Sequence, residues 1–483
     1  MPKSLTRMTF AIAAILFGTA QAQGDAATEA TWRATSRLGY GPASASLAAV
    51  ERAGGARAWA LQQVDAAHAA SQQVPAIPER LSQFNQPLEL IFAEFTKERE
   101  ARKAGAQTLQ KSAADGRAGD TGKPVFSREA AREAAAWRIM ACSSPDTENP
   151  LLARMTEFWF NHLNVFSGKG PVRPFVGHYE INVIRAHALG RFEDLLLASA
   201  RHPAMLFYLD QAQSVAEGRQ GYRGNSRGLN ENYARELMEL HTLGVDGGYS
   251  QTDVRGLARI LTGWMVAPRL PSGFRFNAAM HDTGEKQLLG VRFAGRGSAD
   301  GEDAIRMLAR HPATARRIAT RLANFFVADQ APPQLVDRLA QRFSATQGDI
   351  RATLITLIES AEFWHADQRL FKTPLDYVCS VLTALGGTQE PAEIARALGF
   401  LASAGQGVHA WQTPDGYRTD AATWLSPEAL TRRADFALLF GRRAAEPTFL
   451  KTFLAPETLT RIAREPPQLR TGLMLASPFF MSK

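Results

Sequence analysis

Cysteine is almost missing: only Cys142 and Cys379 occur in 483 residues. Two cysteines make no disulfide framework and show no metal-ligand spacing. In an oxidising compartment they could pair; buried free thiols are the other reading. Long apolar runs are missing beyond the first 22 residues, so no later segment is expected to span a bilayer. Lysine is scarce, ten of the 55 basic residues, and the rest are arginine. An arginine excess suits anion or nucleic-acid recognition, but a GC-rich genome produces the same excess. The arginines are scattered among carboxylates and form no basic tract. Several catalytic signatures are absent as well: H-E-x-x-H, a pair of E-x-x-H motifs of the di-iron type and a glycine-rich phosphate loop after a strand. Their absence argues against the common zinc, di-iron and P-loop enzymes.

The beginning of the chain reads as an address. "MPKSLTR" carries Lys3 and Arg7, "MTFAIAAILFG" is a short apolar run, and "AQA" ends at Ala22. Together they predict a general secretory signal peptide cut after Ala22 and a periplasmic or secreted mature protein. Nucleic acid is then not an expected partner. With 45% hydrophobic and 21% charged residues, the remainder has ample material for a core.

Apolar positions recur at helical spacing in 151–165, 176–189, 230–243, 250–264, 314–327, 349–363 and 427–439. Ser250 and Asp253 have capping-box spacing, and Gly244 sits where a helix-terminating glycine belongs. Segment 101–127 is polar and Gly-rich and reads as a mobile insertion. Segment 211–228 reads as a long polar loop. Alternation in "FRF" and "VRF" within 273–293 predicts a β-hairpin. The expected fold is mainly α: residues 23–483 form one large multi-helix bundle with a small β excursion.

The ordered set "SRLGYGP", "FWFNHLNV", "IRAHALGRF", "HPAMLFYLD", "NENYARELMELHTLGV", "DVRGLARILTGW", "HDTGEKQLLG", "KTPLDYV" and "WLSPEALTRRADF" resembles the bacterial family known as domain of unknown function 1800. The resemblance implies an exported, mainly helical protein and no established reaction. It also implies a partner, an exported sulfatase-like protein encoded by a neighbouring gene. Two positions depart from the family pattern. His241 stands where many relatives carry an aromatic, and Gly416–Tyr417 stands where relatives show Gly-Trp.

Site candidates follow from side chains that a helix would not bury without compensation. At about 100° per residue, Asn232, Glu236 and Glu239 fall on one side of a helix, beside an apolar stripe of Tyr233, Leu237 and Leu240. Such carboxylates need cations, a metal or hydrogen bonds. One reading pairs them with Arg255 and Arg259 of the following helix. The other makes them a metal or acid–base centre, with His162 and His281 as further catalytic candidates, and leaves a divalent metal open as cofactor. Arg235, Arg185, His187, Asp282, Lys286 and Trp264 are ligand-binding candidates with Asn232. Trp411 and Trp424, in a Pro/Gly loop, complete that set and offer a carbohydrate platform. The expected function is therefore an exported protein with a polar ligand or metal pocket on the 230–264 hairpin. The alternatives are a non-catalytic assembly module and carbohydrate binding.

Overall fold

The computed structural model describes residues 26–115, 125–219, 228–365, 369–442 and 444–483. The signal-peptide segment lies outside these residues, as do 116–124 and 220–227 of the two expected loops.

Helices dominate, and local chemistry starts most of them. Asn149 accepts from the Leu152 N–H at 3.0 Å and Pro150 follows at the first helical position, which opens the helix Pro150–His162. Ser250 and Asp253 form the expected capping box of Gln251–Ile260. Thr373 and Asp376 do the same for Pro374–Ala384. The helix Leu88–Asp115 runs on into the segment expected to be a loop, because "ARKAGAQTLQKSAAD" holds one glycine among strong helix formers.

Two expected helices change their winding. Glu231–Glu236 is a short α-helix that continues as a π-helix over Leu237–His241. Val176–Tyr179 likewise passes into a π-helix over Glu180–Arg185. In the first case Thr242 Oγ1 donates to the Leu237 carbonyl at 2.6 Å and helps satisfy the widened turn. Such turns are found often at functional sites.

The β excursion is two hairpins. Trp264–Val266 pairs antiparallel with Phe274–Phe276, and Lys286–Leu288 with Val291–Phe293. "FRF" and "VRF" therefore never pair with each other. The second hairpin turns at Leu289 (φ 49°) and Gly290 (φ 80°), two consecutive positive φ angles that match the twist of the strands.

Apolar side chains gather in two clusters. One is centred on helices Pro150–His162, Phe192–Arg201, Gln251–Ile260 and Pro312–Phe326. The other joins Phe126–Ser143, Pro374–Ala384, Pro427–Gly441 and Pro467–Leu475. Cys142 and Cys379 form a disulfide inside the second cluster. Charged side chains are buried where the clusters meet. Arg154 pairs with Asp376 and, at 3.0 Å, with Glu157. Lys483 reaches Asp376 at 2.5 Å. Arg138 meets Glu180 at 2.6 Å, and Glu180 also takes His409. Each is under 9% exposed. These carboxylates are offset by cations in contact, which is the condition for keeping a charge in the interior.

Candidate functional site

The C-terminal end of the Pro150–His162 helix is a meeting point. Asn161 and Asn164, one turn apart around that end, grip the loop 405–420. Asn161 donates to the Tyr417 carbonyl at 2.8 Å and accepts from the Tyr417 N–H at 2.7 Å. Asn164 donates to the carbonyls of Trp411 and Thr413 at 3.1 and 2.8 Å. Gly416 has a φ of 76°, and a Cβ there would lie 2.0 Å from the Asn161 carbonyl oxygen. Only glycine permits that approach.

This loop brings Asp415 to the helix 231–241. Asp415 Oδ1 accepts from the Trp411 indole at 2.8 Å and the Thr413 hydroxyl at 2.5 Å. Across from it stands Glu236, half-buried, with no hydrogen bond or close ion pair to a described residue. Burial raises the Glu236 pKa above the usual carboxylate range, and the nearby charges of Glu239 and Asp415 add to this; Arg235 opposes it. Glu239 is better compensated: Arg235 lies 3.3 Å away and Tyr249 hydrogen-bonds it. Tyr208 completes this side. Its hydroxyl donates to the Gln412 carbonyl at 2.7 Å, and burial followed by the charges of Glu236 and Asp415 keeps its proton on.

The adjoining side is cationic. His162 Nε2 lies 3.0 Å from the His241 carbonyl, so it carries the proton and Nδ1 holds a lone pair. His162 Nδ1 and His241 Nε2 are both buried without a hydrogen-bond partner. Burial keeps both imidazoles neutral, helped by Arg317 and Arg321 of the helix Pro312–Phe326; His241 is pushed down to about 3. Arg317 Nε donates to the Leu240 carbonyl at 3.1 Å.

The other candidates from the sequence sit elsewhere. Asn232 is exposed on the first turn of its helix. Arg235 bridges Glu239 and Gln251 at the surface. Arg255 and Arg259 are engaged by Glu217 and Asp282, not by the glutamates of the preceding helix. His281 Nδ1 donates to the Thr262 carbonyl at 2.8 Å, and its Nε2 faces Lys286 Nζ at 3.3 Å. Lys286 also donates to the Asp282 carbonyl, so "HDTGEK" forms a closed cluster of its own. Arg185 is buried against Glu148 and ties down the end of Ala56–Ser71 through the Ala70 carbonyl. His187 lines a separate open cleft of about 560 Å³ with His68, Arg191 and Asp194. Trp264 is core, stacked edge-on to Phe274. The Trp411 and Trp424 indoles donate within their own loop, to Asp415 and to the Arg418 carbonyl. Among the described residues, no three His, Cys, Asp or Glu side chains are arranged to hold a metal ion.

Sequence reasoning missed Asp415, Tyr208, Arg317, Arg321 and Asn164, all of which lie far from the 231–241 helix in the chain. One signal was available: "RR" at 316–317 and Arg321 put Arg317 and Arg321 one turn apart on one helix face.

No helix among the described residues is long and apolar enough to cross a membrane. No curated protein and no solved structure matches the chain. A family model matches residues 33–482, nearly its whole length. The chain therefore belongs to the family described as protein of unknown function DUF1800.

Proposed function

We propose that this is an exported protein that binds a small polar molecule in the crevice between the 231–241 helix and the 405–420 loop, and that Glu236 exchanges a proton with that molecule. One observation carries the reading: Glu236 is a half-buried carboxyl with no hydrogen bond or close ion pair to a described residue, beside two further carboxylates. A group left in this state costs stability, and such perturbed groups cluster at working sites. A carboxyl whose pKa is raised by burial holds its proton to higher pH and can give and take it. Export is supported by the signal-like first 22 residues and by the buried disulfide, which persists in oxidising compartments.

The test is a carbon-13 NMR titration of glutamate-labelled wild type and Glu236→Gln. A resonance missing from the variant should titrate above the ordinary glutamate value of about 4.3. Titration at or below that value removes the acid–base reading. A thermal-shift screen of sugars, amino acids and organic acids covers the binding half. Hits that vanish in Glu236→Gln support it, and a screen without hits at millimolar concentration rejects it.

A further inference from the structure

Arg317 and Arg321 lie one turn apart on Pro312–Phe326, so both guanidinium groups share one face. Like charges at this spacing repel, and helices usually offset them with a carboxylate. Their neighbours in the chain follow that habit: Arg316 meets Asp337 at 2.6 Å and Arg310 meets Glu193 at 2.6 Å. Arg321 is half-buried and has no hydrogen bond or close ion pair to a described residue. Arg317 spends only its Nε, on the Leu240 carbonyl. The negative charge acting on Arg321 is that of Asp415, which already accepts from Trp411 and Thr413. The remaining neighbours are the neutral His162 and His241, and the buried His241 Nε2 has no partner. Gly244 keeps the approach open: it sits at a φ of 91°, and a Cβ there would be 3.4 Å from Arg317 Nη1.

Two partly desolvated cations and an unpartnered imidazole nitrogen thus meet with no carboxylate of a described residue in hydrogen-bond contact with them. We propose that Arg317, Arg321 and His241 form the seat of an oxyanion, the carboxylate, phosphate or sulfate group of the crevice's ligand. This rests on the ligand-binding reading above. A planar guanidinium presents two parallel N–H donors that match two oxygens of such a group. The His241 Nε2–H supplies a third donor from beneath. The anionic end of the ligand then lies on the cationic side, and its neighbouring polar groups face Glu236 and Asp415.

Isothermal titration calorimetry of the folded chain with acetate, inorganic phosphate and sulfate tests this, and the three arms separate the sources of the oxyanion. Wild type should bind at least one saturably. Arg321→Gln should weaken that binding roughly tenfold or more, since a charge-assisted bidentate contact is lost. Arg321→Lys keeps the charge without the fork and should fall between the two. No saturable heat with any of the three anions in wild type overturns the proposal without recourse to a variant. Equal affinity in wild type and Arg321→Gln overturns it too. If anions fail to bind while Glu236 still titrates high, the oxyanion seat falls and the proton-exchange reading stands. If anions bind and Glu236 titrates normally, the seat stands and the proton-exchange reading falls.

Discussion

His178 Nδ1 accepts a hydrogen bond from His202 Nε2 at 3.0 Å, with the two rings stacked at 22°. The direction is fixed because His202 Nδ1 accepts from the Ala204 N–H at 3.1 Å and caps Pro203–Tyr208. A proton added to His178 Nδ1 would meet the N–H of His202 head-on. Burial pushes His178 down to about 4 and His202 well below its ordinary value, with His178 adding to the latter.

Stability should therefore fall in mild acid. Both folded-state values lie below the unfolded value of about 6.5, so between these limits the unfolded chain binds more protons. The contribution is complete above about pH 6.5 and is lost as pH drops toward 4. Urea midpoints measured from pH 7 to 4.5 should decline in wild type and decline less in His178→Asn. Identical slopes in the two proteins would refute the assignment to this pair.

The Cys142–Cys379 bridge closes a loop across 237 positions. Such bridges stabilise by about 2–5 kcal/mol, mainly by restricting the unfolded chain. Calorimetry of the oxidised chain and of Cys142→Ser/Cys379→Ser should show a lower melting temperature for the double variant. Addition of a reductant should shift the first and leave the second alone. Equal melting temperatures would show that the bond is dispensable.

The fate of two carboxylates should differ sharply. Asp376 is 2% exposed and holds both Arg154 and Lys483. Asp376→Asn leaves buried cations without their counter-ion and should cost about 3–5 kcal/mol. Glu239 is 23% exposed and pairs with the more exposed Arg235 one turn away in its own helix, so Glu239→Gln should cost no more than about 0.5 kcal/mol. Chemical denaturation of both variants decides. Comparable losses would mean that the ionic layer between the two cores is not the sensitive one.

Gly416→Ala should release the 405–420 loop from the end of Pro150–His162, since the added Cβ collides with the Asn161 carbonyl. Proteolysis should then cut first near residue 416, with loss of any ligand signal that depends on Asp415. An unchanged cleavage pattern would contradict the close approach.

Much of this architecture was legible beforehand. Apolar spacing and caps such as Ser250–Asp253 located the helices, because both are local. The phase of 231–241 was only partly readable. A uniform 100° wheel placed Asn232 beside Glu236, whereas Asn232 is exposed and the chain rewinds into a π turn from Leu237. That switch depends on Thr242 and on the packing of His241, which spacing does not encode. Glu236 was identifiable as a carboxylate at the edge of a buried face. Its neighbour Asp415 was not, because it comes from a loop more than 170 residues away that only tertiary folding brings close.

The 405–420 loop is fastened at its start by the side chains of Gln406, on the Leu375 N–H, and His409, on Glu180, and beyond them through its main chain. Asn161 and Asn164 engage the backbone of Tyr417, Trp411 and Thr413, Tyr208 takes the Gln412 carbonyl, and Ser167 takes the His409 carbonyl. The anchors of 411–417 take only the main chain of that stretch. Apart from Gly416, residues at its tip can be exchanged without undoing the clasp, so the loop works as an interchangeable cartridge. New recognition chemistry can be installed at positions 411–415 on a frame that stays the same.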